Sequence, residues 1–443
     1  MHSRERERGA ACDDGGARSI ESVAAASPAL LGLLASPAPR APGSQSASVA
    51  IELAPSYDDA VLGPALDRAL ARLGGLERFV RPGMRVFLKP NLLSAKEPHK
   101  AVTTHPAFVR AVAARCLALG ARVAIGDSPA GALKGIRRVW KKTGMEEVAA
   151  ETGAALVSLE SSGVVERFAS GRRYFLSRAV LDADLVINLP KLKTHGLTLF
   201  TGAVKNTFGT IPGLGKGEYH KRFPHPHNFS EILLDVHALV SPGLHIMDAV
   251  LAMEGNGPAS GEPRHLGLLL AAEDGVALDA VASAVIGFRP EEIDATRLAV
   301  GRGMGLAGSV CEAAPGRGLA RGVGAAARGP SAPILDRVRV LGVPLAEARV
   351  DNFVLPSNRL LKMVPETLLR LAGRLFWVRP RAHAATCIGC TLCATSCPVD
   401  TIAMVDGLPV VDYTRCINCI TCQEVCPTQA MRAEASPLAR LLL

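Results

Sequence analysis

The spacing of apolar residues divides the chain into stretches of different character. Residues 1–48 open with Arg–Glu alternation and continue in Ala, Ser, Pro and Gly without a sustained apolar period, which predicts a disordered extension. From residue 49, short apolar runs alternate with helical stretches. Runs at 85–88, 122–125, 155–159, 184–189, 244–247 and 266–271 read as strands, and 105–119, 133–151 and 276–285 as helices. This alternation predicts an α/β fold over 49–355, a mainly parallel sheet with flanking helices. Residues 311–333, rich in Ala, Gly, Arg and Pro, read as a surface insertion before a strand at 338–341. A helical connector over 356–379 leads to a small cysteine-rich α+β module at 380–436 and a tail at 437–443.

In an open parallel sheet, ligands gather beyond the carboxyl ends of the strands. Here those ends are polar: Lys89-Pro90-Asn91, Asp127-Ser128-Pro129, and Asn188 followed by Lys191, Lys193 and His195. Asp248 follows the strand at 244 and leads to Glu254, and Glu273-Asp274 follows the strand at 266. The sequence therefore predicts several charged segments at one sheet edge, although helix capping explains Asp127 or Asp274 equally well.

Between Asn188 and Arg222 the chain holds Lys191, Lys193, Lys205, Lys216, Lys221 and Arg222 against one acid, Glu218. Gly202, Gly209, Gly213, Gly215 and Gly217 predict flexibility there. A long basic loop suits a carboxylate or phosphate, or alternatively docks the C-terminal module or a partner. It is not a Walker A loop, because Thr210 stands at its first glycine and Gly217 at its Ser/Thr; no G-x-G-x-x-G links a strand to a helix either. No nucleotide cofactor is expected. Of His195, His220, His225 and His227, the first two are candidates for proton transfer or substrate hydrogen bonding. His225 and His227 could instead ligate a metal, but no carboxylate or cysteine stands at a supporting spacing.

A net charge of +9 suits anionic metabolites or acidic redox partners. At 4 % aromatic residues, base-stacking platforms are not expected, so nucleic acid is not the expected ligand. No apolar run reaches the length of about 18 residues a membrane span needs. The Ala/Leu-rich stretch at 24–35 is short, broken by Pro28, and reads as a non-secretory extension, with a processed leader as the alternative.

Eight of the 11 cysteines lie between Cys387 and Cys426, which argues for metal over disulfides and for a reducing, cytoplasmic setting. CIGCTLCATSCP at 387 recurs as CINCITCQEVCP at 416. Each half is C-x2-C-x2-C-x3-C-P, the spacing of two-cluster ferredoxins, in which the fourth cysteine ligates the other cluster. The spacing predicts two [4Fe-4S] clusters, one on Cys387, Cys390, Cys393 and Cys426, the other on Cys416, Cys419, Cys422 and Cys397. A pair of zinc sites would not need the third evenly spaced cysteine or the proline-tagged fourth. Asp406-Gly407 predicts a hairpin turn. Cys12, Cys116 and Cys311 have no partners at ligand spacing.

VFLKPNLL (86–93), TTHP (103–106), GDSP (126–129), NLPKLKTH (188–195), TGAVKNTFG (201–209) and MDAVLAMEGNGPASGEP (247–263) together resemble the family called domain of unknown function 362. The resemblance covers roughly 49–355, and many members similarly carry a two-cluster ferredoxin module. It implies an iron–sulfur protein, with no activity common to the family. It also implies Lys89, Asn91, His105, Asp127, Lys191, Lys193, His195, Lys205, Asn206, His220, Asp248, Glu254 and Asp279 as site candidates. The insertion at 311–333 departs from the compact pattern.

These readings converge on a ferredoxin-type oxidoreductase that relays electrons between a redox partner or low-potential donor and an anionic small molecule. Lys193, His195, Lys205, His220 and Asp248 are the catalytic candidates; Lys89, Asn91, Asp127, Lys191, Asn206 and Glu254 are the substrate-binding ones. The alternatives are a non-catalytic electron carrier and a cluster or metal maturation factor.

Overall fold

The computed structural model describes residues 47–129, 132–213, 215–305, 333–358, 378–397, 399–416 and 421–436. The N-terminal extension up to residue 46, nearly all of the insertion, most of the connector, the tail and Cys419 lie outside them.

The larger part is built on twelve strands: β1 (Ala47–Leu53), β2 (Arg85–Pro90), β3 (Arg122–Ile125), β4 (Ala155–Leu156), β5 (Val164–Ala169), β6 (Arg172–Ser177), β7 (Leu185–Leu189), β8 (Lys191–His195), β9 (Leu199–Thr201), β10 (Leu244–Glu254), β11 (Glu262–Ala272) and β12 (Val338–Gly342). Eight of them run in the order β12-β1-β11-β10-β7-β2-β3-β4, β8 and β9 extend the sheet from β10, and β5–β6 form a separate hairpin. Parallel pairing predominates; β11 against β1 and β10, and β9 against β8, are antiparallel.

Successive strand residues divide between two cores, as a period of two requires. Val86 and Leu88 join one core and Phe87 the other; Leu269 and Ala271 separate from Leu268 and Leu270 in the same way. Helices Asp59–Arg72 and Pro106–Ala118 cover the first face, and Pro226–Val240 and Gly275–Val285 the second. Burial on both faces is why these strands read as nearly continuous apolar runs.

Several expectations are corrected. The helix expected over 133–151 is two, Ala132–Lys142 and Met145–Thr152, because Gly144 adopts φ 74° between them. The strand expected at 155–159 is two residues long, and β10 and β11 extend to 11 residues each. Since β11 is antiparallel, it ends beside the start of β10: Ala272 lies level with His245, Asn188 and Lys89, and Glu273-Asp274 runs from there away from the carboxyl ends of the parallel strands. There Glu273 pairs with Arg78, and Asp274 caps helix Gly275–Val285 by accepting the N–H groups of Val276 and Ala277.

In the C-terminal module, β13 (Val378–Ala382) pairs with β16 (Met431–Ala435), and β14 (Ile402–Val405) with β15 (Leu408–Val411). Positive φ at both Asp406 (48°) and Gly407 (76°) makes a type I′ hairpin turn, whose twist matches the strands it joins.

Candidate functional site

Two lysine–carboxylate pairs lie fully buried at the sheet edge. Lys89 Nζ is 2.7 Å from Asp127 Oδ1, and Lys191 Nζ is 2.8 Å from Asp248 Oδ2. Desolvation draws both lysine pKa values below the ordinary range, and the adjoining carboxylates oppose it. Asp127 also accepts the N–H groups of Leu92 and Ser128, so it fastens the segment after β2 to that after β3. Asp248 accepts from the Tyr57 hydroxyl (2.7 Å) and the His105 N–H (2.9 Å), and Lys191 donates to the Tyr57 oxygen (3.0 Å). The Tyr57 and His105 rings stack at 3.6 Å. Burial holds His105 at about 4, hence neutral near pH 7.

Pro190 places Lys191 and Asp248 together. It breaks the run between β7 and β8, and the Asp248 N–H donates to its carbonyl, so β10 pairs with β7 first and β8 afterwards. Alternation along β8 puts Lys191, Lys193 and His195 on one side.

Lys193 begins a chain of amides. Its Nζ donates to Asn91 Oδ1 and to the Val102 carbonyl, both at 2.8 Å. Asn91 Nδ2 donates to Asn206 Oδ1, Asn206 Nδ2 to Asn188 Oδ1, and Asn188 Nδ2 meets His245 Nδ1 at 3.1 Å. Every carbonyl in the series faces the lysine, so the aligned dipoles favour an ammonium there. Asn188 is among the polar strand ends legible in the sequence but not among the site candidates, and His245 is in neither group. Asn188 sits inside the NLPKLKTH segment, whereas nothing local distinguishes His245.

Lys193, His195, Lys205 and His220 come close enough that the other three all depress the His195 pKa, although its burial is the largest cause. His195 Nδ1 accepts the N–H groups of Leu197 and Thr198, which leaves the ring proton of the neutral tautomer on Nε2. Lys205 Nζ lies 6.0 Å from the centre of the Phe208 ring and 5.9 Å from that of Phe229. His220 stacks on Phe229 at 4.2 Å, and burial followed by Lys205 lowers it to about 3.

Much of the segment read as a flexible loop takes regular structure among the described residues. It runs through β8, β9, the turns Ala203–Asn206 and Thr207–Thr210, and helix Gly215–Arg222. Gly202 and Gly209 serve close approach, not mobility: a Cβ would overlap the Asp279 carboxylate at the first and Asp127 at the second. Lys216 reaches across to the Ser128 hydroxyl, which donates to Glu160.

Other candidates lie apart. Asp279 accepts from the N–H groups of Ala203 and Val204 and so caps that turn, and burial raises its pKa to about 7. Glu254 accepts the Val354 N–H and lies 4.0 Å from Arg264. His225 Nδ1 accepts the His227 N–H as the N-cap of helix Pro226–Val240. Lys221 lies in helix Gly215–Arg222.

In the module, Cys387, Cys390, Cys393 and Cys426 line a single pocket with Ile388, Thr391, Met404, Pro409 and Met431. Four cysteines lining one largely apolar pocket supply the donor set that an iron–sulfur cubane takes. The two proline-tagged thiols have matching surroundings. Cys397 Sγ lies 3.3 Å from both the Thr401 N–H and hydroxyl; Cys426 Sγ accepts the Met431 N–H at 3.5 Å and faces the Thr428 hydroxyl at 3.8 Å. Burial opposes the thiolate at each, but these donors outweigh it and lower both pKa values. Cys416 and Cys422 lie nearby, while Cys419 is outside the described residues. Cys116, in helix Pro106–Ala118, is pushed up to about 12 by burial, so it stays an unreactive thiol; Cys12 and Cys311 lie outside the described residues. Finally, Lys96, from the segment after β2, donates to the Cys426 carbonyl at 2.7 Å.

Residues 86–284 match the family model described as Domain of unknown function (DUF362), and 379–431 match that of a 4Fe-4S dicluster domain. A thylakoid-associated protein of Synechocystis is 37 % identical over 248 residues, covering 56 % of this chain and 76 % of the relative. The apoprotein of lactate racemase from Thermoanaerobacterium thermosaccharolyticum aligns at 11 % identity with a TM-score of 0.34, covering 51 % of this chain. The chain spans about half, 54 %, of that solved structure. No helix among the described residues is long and apolar enough to cross a membrane. The dicluster match assigns [4Fe-4S] binding and an iron–sulfur electron-transfer role, and with the family segments in order from β2 to helix Gly275–Val285, this chain belongs to the DUF362 family and carries a C-terminal ferredoxin module.

Proposed function

We propose that the protein is a cytoplasmic, ferredoxin-type oxidoreductase in which two crossed-ligand [4Fe-4S] clusters pass single electrons to or from an anionic small molecule at the α/β sheet edge. The observation that carries this reading is the convergence of Lys193, His195, Lys205 and His220 at a position tied to the cysteine module by one loop. Residues 91–104 hold Lys193 through Asn91 and Val102, and reach Cys426 through Lys96. Lys193 and Lys205 would hold the anion, while Lys89 and Lys191, each facing a carboxylate, keep the surrounding segments in place. His195 and His220, both neutral near pH 7, would orient the anion as hydrogen-bond donors and relay protons that reach them. When bound, the clusters supply one electron each.

The test is anaerobic turnover with a low-potential one-electron donor and pyruvate or another small carboxylate, comparing wild type with Lys193→Ala and Lys205→Ala. Loss of turnover in both with cluster content retained is expected, and equal turnover would remove those lysines from the mechanism.

A carrier function without chemistry on the α/β domain is the second reading. Exposed Ile388, Val405 and Val410 on the module favour it, since they suit a protein redox partner. It predicts salt-sensitive association with such a partner and no carboxylate binding.

A further inference from the structure

Loop 91–104 belongs to the α/β domain, yet it touches the cysteine module at a ligand residue. Its base is fastened by reciprocal bonds: the Asn91 N–H donates to Thr104 Oγ1, the Thr104 N–H donates to the Asn91 carbonyl, and the Thr104 hydroxyl donates to the Leu189 carbonyl. From this base the loop extends half-buried Lys96 to the carbonyl of Cys426. Arg138, Lys100 and Glu97 stand near enough to Lys96 to act on it electrostatically, and Glu97 pairs with Lys142 at 2.8 Å. Cys426 is thus approached by a predominantly cationic surface that its own module does not supply.

We infer that Lys96 couples the cluster of Cys387, Cys390, Cys393 and Cys426 to the α/β domain and raises that cluster's reduction potential. The inference rests on the cluster assignment above. Reduction adds one electron, from a low-potential one-electron donor, to a cubane that four thiolates already make anionic. The reduced form therefore carries one more negative charge, and a donor and cation at the ligand backbone stabilise it more than the oxidised form. Cys397 and Cys426 have matching Thr and amide donors, and at Cys426 the α/β domain adds Lys96 to them. The loop that carries this lysine also grips Lys193, which links the cluster's surroundings mechanically to the candidate anion site.

The experiment is a redox titration of the anaerobic full-length holoprotein followed by electron paramagnetic resonance, with iron content measured in parallel. Lys96→Gln should shift one midpoint to more negative potential and leave the other in place, while Lys96→Arg should restore it. Glu97→Gln, an exposed change that removes the offsetting carboxylate, should shift the same midpoint the other way, and this arm stands even if Lys96→Gln loses iron. Two clusters whose midpoints are unchanged, or move together, in the variants that retain iron would overturn the inference alone. A wild-type holoprotein without cubane signals would overturn the cluster assignment and the inference with it.

Discussion

The sheet edge and the cysteine module solve the same problem, holding charge inside protein, in opposite ways. At the edge, each buried cation meets groups from distant segments: Lys191 and Asp248 are 57 residues apart, Lys193 and Asn91 102 apart. The balance there is struck within the protein. In the module, cysteines from two short repeats line a common space, and among the described residues the apolar core around them is small: Val411, Ala430 and Met431, with Ala382, Ile402 and Met404 packed against them. Its two strand pairs are too small to be stable by themselves, and the charge of its thiolates is to be met by iron. One region is therefore expected to keep its shape without a cofactor, and the other to depend on it.

Iron removal tests that contrast most directly. Chelation under oxidising conditions should abolish amide protection across 378–435 while 86–284 keeps its hydrogen-exchange pattern; equal loss in both would show that they are one cooperative unit.

A large effect is also expected within the edge. Asp248→Ala leaves Lys191 buried without its carboxylate and should cost about 3–5 kcal/mol in urea denaturation, whereas replacing both with apolar residues of similar volume should cost much less. A smaller loss, about 1–3 kcal/mol, is expected for Gly209→Ala, because a Cβ there overlaps the Lys89–Asp127 pair.

The mildest effect is in pH dependence. His105 and His220 remain neutral in the fold down to about 4 and about 3, while an unfolded chain protonates its histidines near 6.5. The unfolded state therefore binds more protons below pH 6.5, so stability should decline as pH falls through that window toward 3. His220→Gln should flatten part of the decline, and an unchanged slope of denaturation midpoint against pH would show that His220 does not contribute.

The module was legible because its chemistry is local. Four cysteines within 11 positions, a repeat, a proline tag and an Asp-Gly turn each state a geometric requirement over a few residues, and long-range folding does not alter it. The strands of the sheet were legible for the related reason that burial on both faces leaves an apolar run. Local pattern could not supply strand direction: antiparallel β11 ends beside the start of β10, so Glu273 and Asp274 do not continue past the carboxyl ends of the parallel strands. Nor could it supply the roles of Gly202 and Gly209, which depend on carboxylates 77 and 82 positions away.

The sequence by itself determined the family, the α/β class and the cysteine spacing that two clusters require. It also determined which side chains could carry chemistry. Only the tertiary structure decided which lysines face carboxylates and which face amides and rings, and that Lys96 meets Cys426. Charge is a property of a residue, but its consequence depends on what is desolvated beside it, and the chain fixes those neighbours only by folding.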